Sequence, residues 1–216
     1  MKLRRFFARL AAKFGLLIPP EGHVSKRQMA RLYLLARKSP GPFLEVGPWV
    51  GRSTSAIAWA LRGRPRPPRF ITIEKGFSSL AEWEAFWGIS VYAKPPKLVE
   101  RYTRHILRPG GSIASLRENL ADRGLADLVT VFVGDLLDFR SPEQFRFIFC
   151  DAAHDVTEIQ RNIPHLLPLL DRGNGIFVCD DIKTPAHLAA LLELLKPDQH
   201  RLHDDFFVGW FGAAAR

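Results

Sequence analysis

The sequence has few cysteines and no long apolar run. Its two cysteines, Cys150 and Cys179, cannot form a disulfide framework, and each ends a run of strand-forming residues. We therefore expect two buried free thiols, which suits a reducing cytoplasm. No apolar run approaches the roughly 20 residues that a membrane-spanning helix needs. At 216 residues, 47% of them hydrophobic, the chain is long enough for one globular domain with a sizeable core.

The charge is unbalanced, but nucleic-acid motifs are missing. The formal net charge is +9, which favours nucleic acid, anionic lipid or acidic compounds as partners. The basic residues are spread along the chain, however, and neither zinc-finger spacing nor an aromatic-basic ribonucleoprotein signature occurs. We interpret the charge as solvated surface and keep a nucleic-acid partner as the alternative.

The first 18 residues contain no acid, and their apolar residues follow helical spacing. This pattern predicts a basic amphipathic helix that ends at Pro19-Pro20. Arg9 and Lys13 interrupt its apolar core, so a secretory signal is not expected. We expect this helix to pack over the domain or against a partner subunit, which would make a homo-oligomer. An anionic membrane surface is the alternative partner.

Strands and helices alternate along the rest of the chain. Apolar runs predict strands over 43–46, 70–73, 128–133, 145–150 and 175–179. Helical spacing predicts helices between them, and the aromatic tail over 200–214 predicts a final antiparallel hairpin. The alternation predicts an α/β fold: a Rossmann-like, doubly wound, mostly parallel sheet with helices on both faces.

The domain organisation follows from the same pattern. Residues 1–39 are expected to form an N-terminal helical segment, in which a capping box over 25–28 opens a helix. Residues 40–216 are expected to form the main domain. Residues 77–110 break the alternation with several aromatic residues and prolines, and they are long for a simple connection. This aromatic insertion is either a lid or substrate wall, or a packed surface excursion.

Each predicted strand ends near an acidic residue. These acids are Glu45, Glu74, Asp135, Asp151, Asp180 and Asp181. Parallel strands bring their carboxyl ends to one edge of the sheet, where ligands bind in this fold class. So many carboxylates on one edge would repel one another unless cations or hydrogen-bond donors occupy the site. The pattern therefore predicts a ligand that is cationic or rich in donors.

The first predicted strand runs into a glycine turn, Gly47-Pro-Trp-Val-Gly51, and a helix starts near Ser53. Such a turn brings the backbone close to a nucleotide, and the helix start offers unpaired N–H donors. Glu45 would repel a pyrophosphate, and Trp49 lies where a dinucleotide needs a middle glycine. A P-loop is excluded because no Gly-Lys-Ser/Thr follows. The turn instead suits a nucleoside that carries a positive charge.

These residues resemble motif I of the class I S-adenosylmethionine-dependent methyltransferases. The residues that the resemblance implies for the cofactor's methionine moiety are Glu45, Gly47, Gly51 and Ser53. Glu74 ends the second strand, where an acid can accept hydrogen bonds from both ribose hydroxyls. The resemblance places Asp135 beside the adenine.

A closer resemblance is to the branch that includes macrocin-type O-methyltransferases and cephalosporin hydroxylase-like proteins. The segments that carry it are 45–54, Asp151-Ala-Ala-His154 and Asp180-Asp181. Ala152 lies where that branch commonly has glycine. By this resemblance Asp151, Asp180 and Asp181 hold a magnesium ion. His154 would act as the base, with Asp151 as its catalytic neighbour.

The implied activity is the methylation of a hydroxyl group. A magnesium ion prefers carboxylate oxygens and leaves positions for substrate hydroxyls, and a nearby imidazole can take the hydroxyl proton. The leading hypothesis is a cytoplasmic S-adenosylmethionine-dependent O-methyltransferase that acts on a small hydroxylated molecule such as a sugar or glycoside. The alternatives are an RNA methyltransferase and a non-catalytic nucleoside-binding member of the fold.

Overall fold

The computed structural model describes residues 19–215, which form a seven-stranded sheet with helices packed on both faces. The predicted helix over residues 1–18 lies outside the described residues. The strands are β1 Phe43–Val46, β2 Phe70–Glu74, β3 Thr130–Val133, β4 Phe147–Cys150, β5 Ile176–Cys179, β6 Gln199–His203 and β7 Phe206–Trp210. The α-helices are α1 Lys26–Lys38, α2 Arg52–Leu61, α3 Leu80–Trp87, α4 Pro96–Ile106, α5 Gly111–Ala121, α6 Val156–Leu166 and α7 Pro185–Leu195.

The strand order in the sheet is β3-β2-β1-β4-β5-β7-β6. Strands β1 to β5 pair in parallel, and β7 and β6 add an antiparallel hairpin at one edge. The chain moves outward from β1 to β3 and then crosses back to place β4 against β1. A crevice therefore opens beyond the carboxyl ends of β1 and β4, where the direction reverses. The predicted α/β class and the C-terminal hairpin are confirmed.

The central strands are buried on both faces, which explains their almost uninterrupted apolar sequences. Successive side chains of a strand point to opposite faces, so β1 contributes to two cores. Leu44 and Val46 lie in a core with residues of α6 and α7. Phe43 lies in the other core, with residues of α1, α2 and α5.

Helix α1 begins at the predicted capping box. The Ser25 side chain accepts a hydrogen bond from the Gln28 backbone N–H, and the Gln28 side chain accepts one from the Ser25 backbone N–H. The buried face of α1 carries Met29, Leu32 and Ala36, which pack in the same core as α2. Helix α1 therefore belongs to the helical layer that covers one face of the sheet.

The aromatic insertion folds into helices α3 and α4. Four of its residues, Phe77, Trp83, Val91 and Ile106, form a small apolar cluster separate from the two main cores. Trp49, in the glycine turn after β1, packs against this cluster. The insertion is thus a small third layer, seated beside the turn at the carboxyl end of the sheet.

Two strands begin two residues later than predicted. Strand β3 begins at Thr130 rather than 128, because Ala126–Leu128 form a turn of 3₁₀ helix. Strand β4 begins at Phe147 rather than 145, and Phe145 makes only an isolated bridge to Leu170. Across residues 19–215, no helix combines the length and apolar character needed to cross a membrane.

The turn at Gly47 lies against the loop that follows β4. Gly47 has a φ of +81°, and a Cβ atom there would collide with the backbone carbonyl oxygen of Asp151. Gly63 has a similar φ of +84°, but nothing lies within 4 Å of the corresponding position. Gly63 is therefore a matched control, because alanine there adds backbone strain without a collision.

We expect Gly47→Ala to lower the free energy of unfolding by about 2–4 kcal/mol, since left-handed strain and overpacking both contribute. Gly63→Ala should cost only the strain, about 1–2 kcal/mol. Urea denaturation of both variants measures the difference. Equal losses would contradict the close contact between the turn and the Asp151 loop.

Candidate active site

A cavity of about 500 Å³ lies beyond the carboxyl ends of the parallel strands. The strand-end acids that line it are Glu74, Asp135, Asp151, Asp180 and Asp181. Gly47 and His154 line the same cavity. The sheet therefore gathers five of the six acids singled out in the sequence, together with the candidate base, around one space.

Glu74 lies at the end of β2 and is only 6% exposed. Its Oε2 accepts a hydrogen bond from the Trp49 backbone N–H at 2.9 Å, and its Oε1 accepts one from the Gly76 backbone N–H at 3.0 Å. Burial raises the pKa of Glu74 to about 7, although these two hydrogen bonds oppose the shift. Each oxygen keeps a lone pair, so a ligand can still donate to both.

Glu45 lies beneath the cavity rather than in its lining. It is fully buried in β1, and its Oε2 accepts hydrogen bonds from the hydroxyls of Thr54 at 2.6 Å and Thr72 at 2.8 Å. Its Oε1 has no hydrogen-bond partner, and burial raises the pKa of this carboxyl group. Gly51 and Ser53 are also absent from the lining. Of the four residues assigned to the methionine moiety, only Gly47 faces the cavity.

Trp49 joins the glycine turn to the aromatic insertion. Its φ of +53° is left-handed, which is unusual for a residue other than glycine. Its backbone N–H binds Glu74, and its indole ring lies edge-on to Tyr102 and His105 of α4, at centroid distances of 5.7 and 6.2 Å. One residue thus connects the acid at the end of β2 with the insertion.

Asp135 lies at the other end of the cavity from the β5 acids, in the loop after β3. Its Oδ1 accepts a hydrogen bond from the Leu137 backbone N–H at 2.9 Å. Its Oδ2 lies 3.7 Å from Nζ of Lys75, which also lies over the Phe86 ring at 4.5 Å from the centroid. Asp135 is partly exposed, so its carboxylate can bind a ligand that enters from this side.

Asp151, Asp180 and Asp181 lie together at the ends of β4 and β5. Burial, followed by repulsion from Asp180, raises the pKa of Asp151 well above its usual range. Burial, followed by repulsion from Asp181, raises the pKa of Asp180 to about 7. Lys183 partly offsets this charge, because its Nζ lies 2.7 Å from Oδ1 of Asp181. The acids at this end therefore crowd one another.

The same acids form two groups that could hold a metal ion. The first group is Asp151, His154 and Asp181, and the second is Asp180, Asp181 and Asp205. Within each group the candidate ligand atoms lie within 4.8 Å of one another. Carboxylate oxygens suit a hard divalent cation such as Mg²⁺, so the residues present fit the predicted metal. A cation would also relieve the repulsion between the acids.

His154 is held by a neighbouring carboxylate. Its Nδ1 lies 2.7 Å from Oε2 of Glu158, and the same oxygen accepts a hydrogen bond from the His154 backbone N–H at 2.8 Å. Its Nε2 lies 3.8 Å from Oδ2 of Asp181. Burial lowers the pKa of His154, but the hydrogen bond to Glu158 and the nearby carboxylates outweigh burial and raise it. The imidazole is therefore oriented with Nε2 available for a proton.

The insertion forms an aromatic wall of this cavity. The aromatic residues of the insertion that line it are Phe77, Trp83, Phe86, Trp87 and Tyr102. The ring of Trp87 lies edge-on to the His154 ring at a centroid distance of 5.3 Å. Trp87 and Phe86 nonetheless keep 39% and 36% of their surface exposed. The aromatic wall therefore reaches the candidate base and leaves ring surface open to a ligand.

Sequence reasoning missed several residues of the site. Glu158 had a local signal, because it lies four residues after His154 at the start of a helix. Gln28 and Asp205 had no such signal. The Gln28 side chain binds Asp180 and Asp205, which are 152 and 177 residues away in sequence. Only the folded chain brings them together.

Solved structures of methyltransferases share this fold. The O-methyltransferase from Bacillus cereus, solved in complex with SAH, is 18% identical with a TM-score of 0.55, over 94% of this chain and 90% of that one. The O-methyltransferase TomG from Streptomyces achromogenes, involved in tomaymycin synthesis and solved in complex with SAM, is 22% identical with a TM-score of 0.52, over 95% of this chain and 89% of that one. These likenesses show the fold. No curated protein matches the sequence.

The central part of the sequence identifies the family of the chain. A family model described as a methyltransferase domain matches residues 44–182, well over half of the chain. The match runs from β1 to the residue after Asp181, so it includes the glycine turn, Glu74 and His154 but not α1 or the hairpin. The predicted resemblance is confirmed at the level of family and fold. The chain thus belongs to this family of methyltransferase domains and is a class I, S-adenosylmethionine-dependent methyltransferase.

Proposed function

We propose that the protein transfers a methyl group from S-adenosylmethionine to a hydroxyl oxygen of a small molecule, with His154 as the base. One observation carries the proposal. The His154–Glu158 pair faces the same cavity as Glu74, so a proton acceptor and a candidate ribose acid share one space. This arrangement is what methyl transfer to an ionisable oxygen requires.

The cofactor end is proposed to lie between β1, β2 and β3. Glu74 would accept hydrogen bonds from the ribose hydroxyls, and Asp135 would lie beside the adenine. Gly47 would allow the backbone to approach the methionine moiety. Glu45 would support the turn from below, since its bond to Thr54 ties β1 to α2. Gly51 and Ser53 would act from the start of α2, outside the lining of the cavity.

The cation end is proposed to lie at β4 and β5. Asp151, Asp180 and Asp181 would hold a magnesium ion, and a bound ion would lower the pKa of a substrate hydroxyl placed beside it. The supporting observations are the two candidate ligand groups, one with Asp151 and one with Asp180, which share Asp181, and the mutual repulsion of the acids. Lys183 would remain beside Asp181 as a second positive group.

His154 would remove the hydroxyl proton. The proton would move to Nε2, while Nδ1–H donates to Glu158 and stabilises the imidazolium that forms. When bound, the cofactor would supply an electrophilic methyl group; attack by the substrate oxygen would break the methyl–sulfur bond and leave the electron pair on sulfur. The contribution of the protein to this step is alignment and exclusion of water.

The substrate is proposed to lie against the aromatic wall. Flat rings and the carbon faces of sugars both pack on exposed aromatic side chains, so the wall is compatible with a sugar or glycoside. In this wall, Trp87 lies against the His154 ring.

The net charge of +9 keeps RNA as a second candidate substrate, and activity on RNA that falls steeply with added salt would favour it. A cytoplasmic location stays a prediction.

Glu74 should make cofactor binding depend on pH. Its pKa of about 7 means that the carboxyl group is protonated at lower pH and can then accept fewer hydrogen bonds. We expect affinity for S-adenosylhomocysteine to rise from about pH 6 to about pH 8. Glu74→Gln should weaken binding by about 1–3 kcal/mol and remove most of this rise. Calorimetric titration of both proteins at the two pH values measures the affinity for S-adenosylhomocysteine. An unchanged affinity in Glu74→Gln would contradict the ribose assignment.

His154 should be needed for turnover but not for cofactor binding. We expect His154→Ala to lower kcat by about 10²–10⁴-fold, the usual effect of losing a positioned base, with little change in affinity for S-adenosylhomocysteine. His165→Ala is the matched control, since His165 lies in α6, the helix that follows the His154 loop, but does not line the cavity. Full activity of His154→Ala would contradict the proposed base. Cofactor binding without turnover in the unmodified protein would favour a non-catalytic member of the fold.

Removal of divalent cations should affect catalysis and leave cofactor binding intact. A chelator should lower the methyl-transfer rate by roughly 10- to 100-fold, because the acids would no longer hold a cation that polarises the substrate oxygen. Added Mg²⁺ should restore the rate. Titration with S-adenosylhomocysteine should give the same affinity with magnesium and with chelator. A rate that does not respond to the chelator would remove the metal from the proposed mechanism.

A further inference from the structure

Gln28 joins three separate parts of the chain through one side-chain amide. It lies in the first turn of α1 and is only 7% exposed. Its Oε1 accepts a hydrogen bond from the Ser25 backbone N–H at 2.6 Å. Its Nε2 donates to Oδ1 of Asp180 at 2.6 Å and to Oδ1 of Asp205 at 3.1 Å. Both hydrogens of the amide nitrogen are therefore used, and each goes to a different carboxylate.

The two carboxylates need such a donor. Asp180 is 5% exposed at the end of β5, and Asp205 lies in the turn between β6 and β7. Their oxygens lie in one acidic group with Asp181. A neutral amide between Asp180 and Asp205 satisfies an oxygen of each and fixes where each carboxylate points, without adding charge of its own.

Gln28 and Asp205 lie outside the part of the chain that defines the family. The family match covers residues 44–182, so it includes Asp180 and Asp181 but neither of these two residues. The cation end of the cavity is thus completed in this chain by α1 on one side and by the C-terminal hairpin on the other. The lining of the cavity includes both Gln28 and Asp205.

We propose that Gln28 is a positioning residue, whose amide sets the orientation of the Asp180 carboxylate toward a divalent cation. The inference rests on the proposed cation site and goes beyond it, because it assigns a role to a residue of the N-terminal segment. Partners that orient metal ligands in this way generally raise the affinity for the metal by 10- to 100-fold, an order-of-magnitude range of about 1.4–2.8 kcal/mol.

The competing explanation is that Gln28 only caps α1. The capping box offers a way to separate the two roles. Ser25→Ala removes the hydrogen bond that the Ser25 hydroxyl accepts from the Gln28 backbone N–H, but it leaves the bonds from the Gln28 side chain to Asp180 and Asp205. Gln28→Met keeps the approximate length and shape of the side chain and removes its three side-chain hydrogen bonds, while the backbone N–H of residue 28 can still donate to Ser25. Both variants weaken the cap, but only Gln28→Met frees the carboxylates.

The test is calorimetric titration of the full chain with Mg²⁺ in the presence of saturating S-adenosylhomocysteine, with thermal unfolding measured in parallel. We expect Gln28→Met to bind Mg²⁺ about 10- to 100-fold more weakly than the unmodified protein. Ser25→Ala should keep the unmodified affinity, although both variants should unfold at lower temperature. Gln28→Asn, which retains the amide but withdraws it by one methylene group, provides a second variant with the same expected loss.

The outcomes separate this inference from the proposed function. Unchanged Mg²⁺ affinity in Gln28→Met and Gln28→Asn would overturn the positioning role and leave the cation site intact. Equal loss in Ser25→Ala and Gln28→Met would also overturn it, because the effect would then belong to the helix cap. Binding of S-adenosylhomocysteine but not of Mg²⁺ by the unmodified protein would overturn the cation site itself, and the role of Gln28 with it.

Discussion

Asp151 and Asp180 directly follow the neighbouring parallel strands β4 and β5. Cys150 and Cys179, the last residues of these strands, lie opposite each other in the sheet, so the carboxylates of Asp151 and Asp180 lie in the same small region. Burial and mutual repulsion make the charged forms costly there, which the raised pKa values of both groups express. Moving the strands apart would break the hydrogen bonds that join β4 to β5. Neighbouring parts of the chain must therefore supply donors and positive charge, and much of the arrangement at this end of the cavity follows from that requirement.

The other end of the cavity depends on the turn after β1. The left-handed backbone of Trp49 costs about 1–2 kcal/mol, and the conformation is held by the hydrogen bond to Glu74 and by ring contacts with α4. The same turn presses Gly47 against the carbonyl oxygen of Asp151. Glu74, the insertion and the loop that leads to His154 are consequently linked through a few residues of this turn.

The sequence predicted the parts of this structure that depend on local patterns. Apolar runs located β1, β2 and β5 closely, and the acid after each strand indicated which edge of the sheet holds the site, because strand direction alone determines that edge. The orientation of side chains could not be predicted in this way. Glu45 belongs to β1 like the rest of the motif, yet its side chain points into the protein, to Thr54 and Thr72. The capping-box bond between Gln28 and Ser25 has a local pattern, but the bonds from Gln28 to Asp180 and Asp205 depend on tertiary packing and have none.

Three of the five tryptophans, Trp49, Trp83 and Trp87, line the cavity. Indole emission depends on local polarity and on quenching by neighbouring groups, and Trp87 lies directly against an imidazole. The protein therefore carries an intrinsic fluorescent reporter at the place where its ligands would enter. Occupancy of the cavity can be followed by steady-state or stopped-flow emission without attaching a dye, and the order in which two ligands arrive becomes accessible from the unmodified chain.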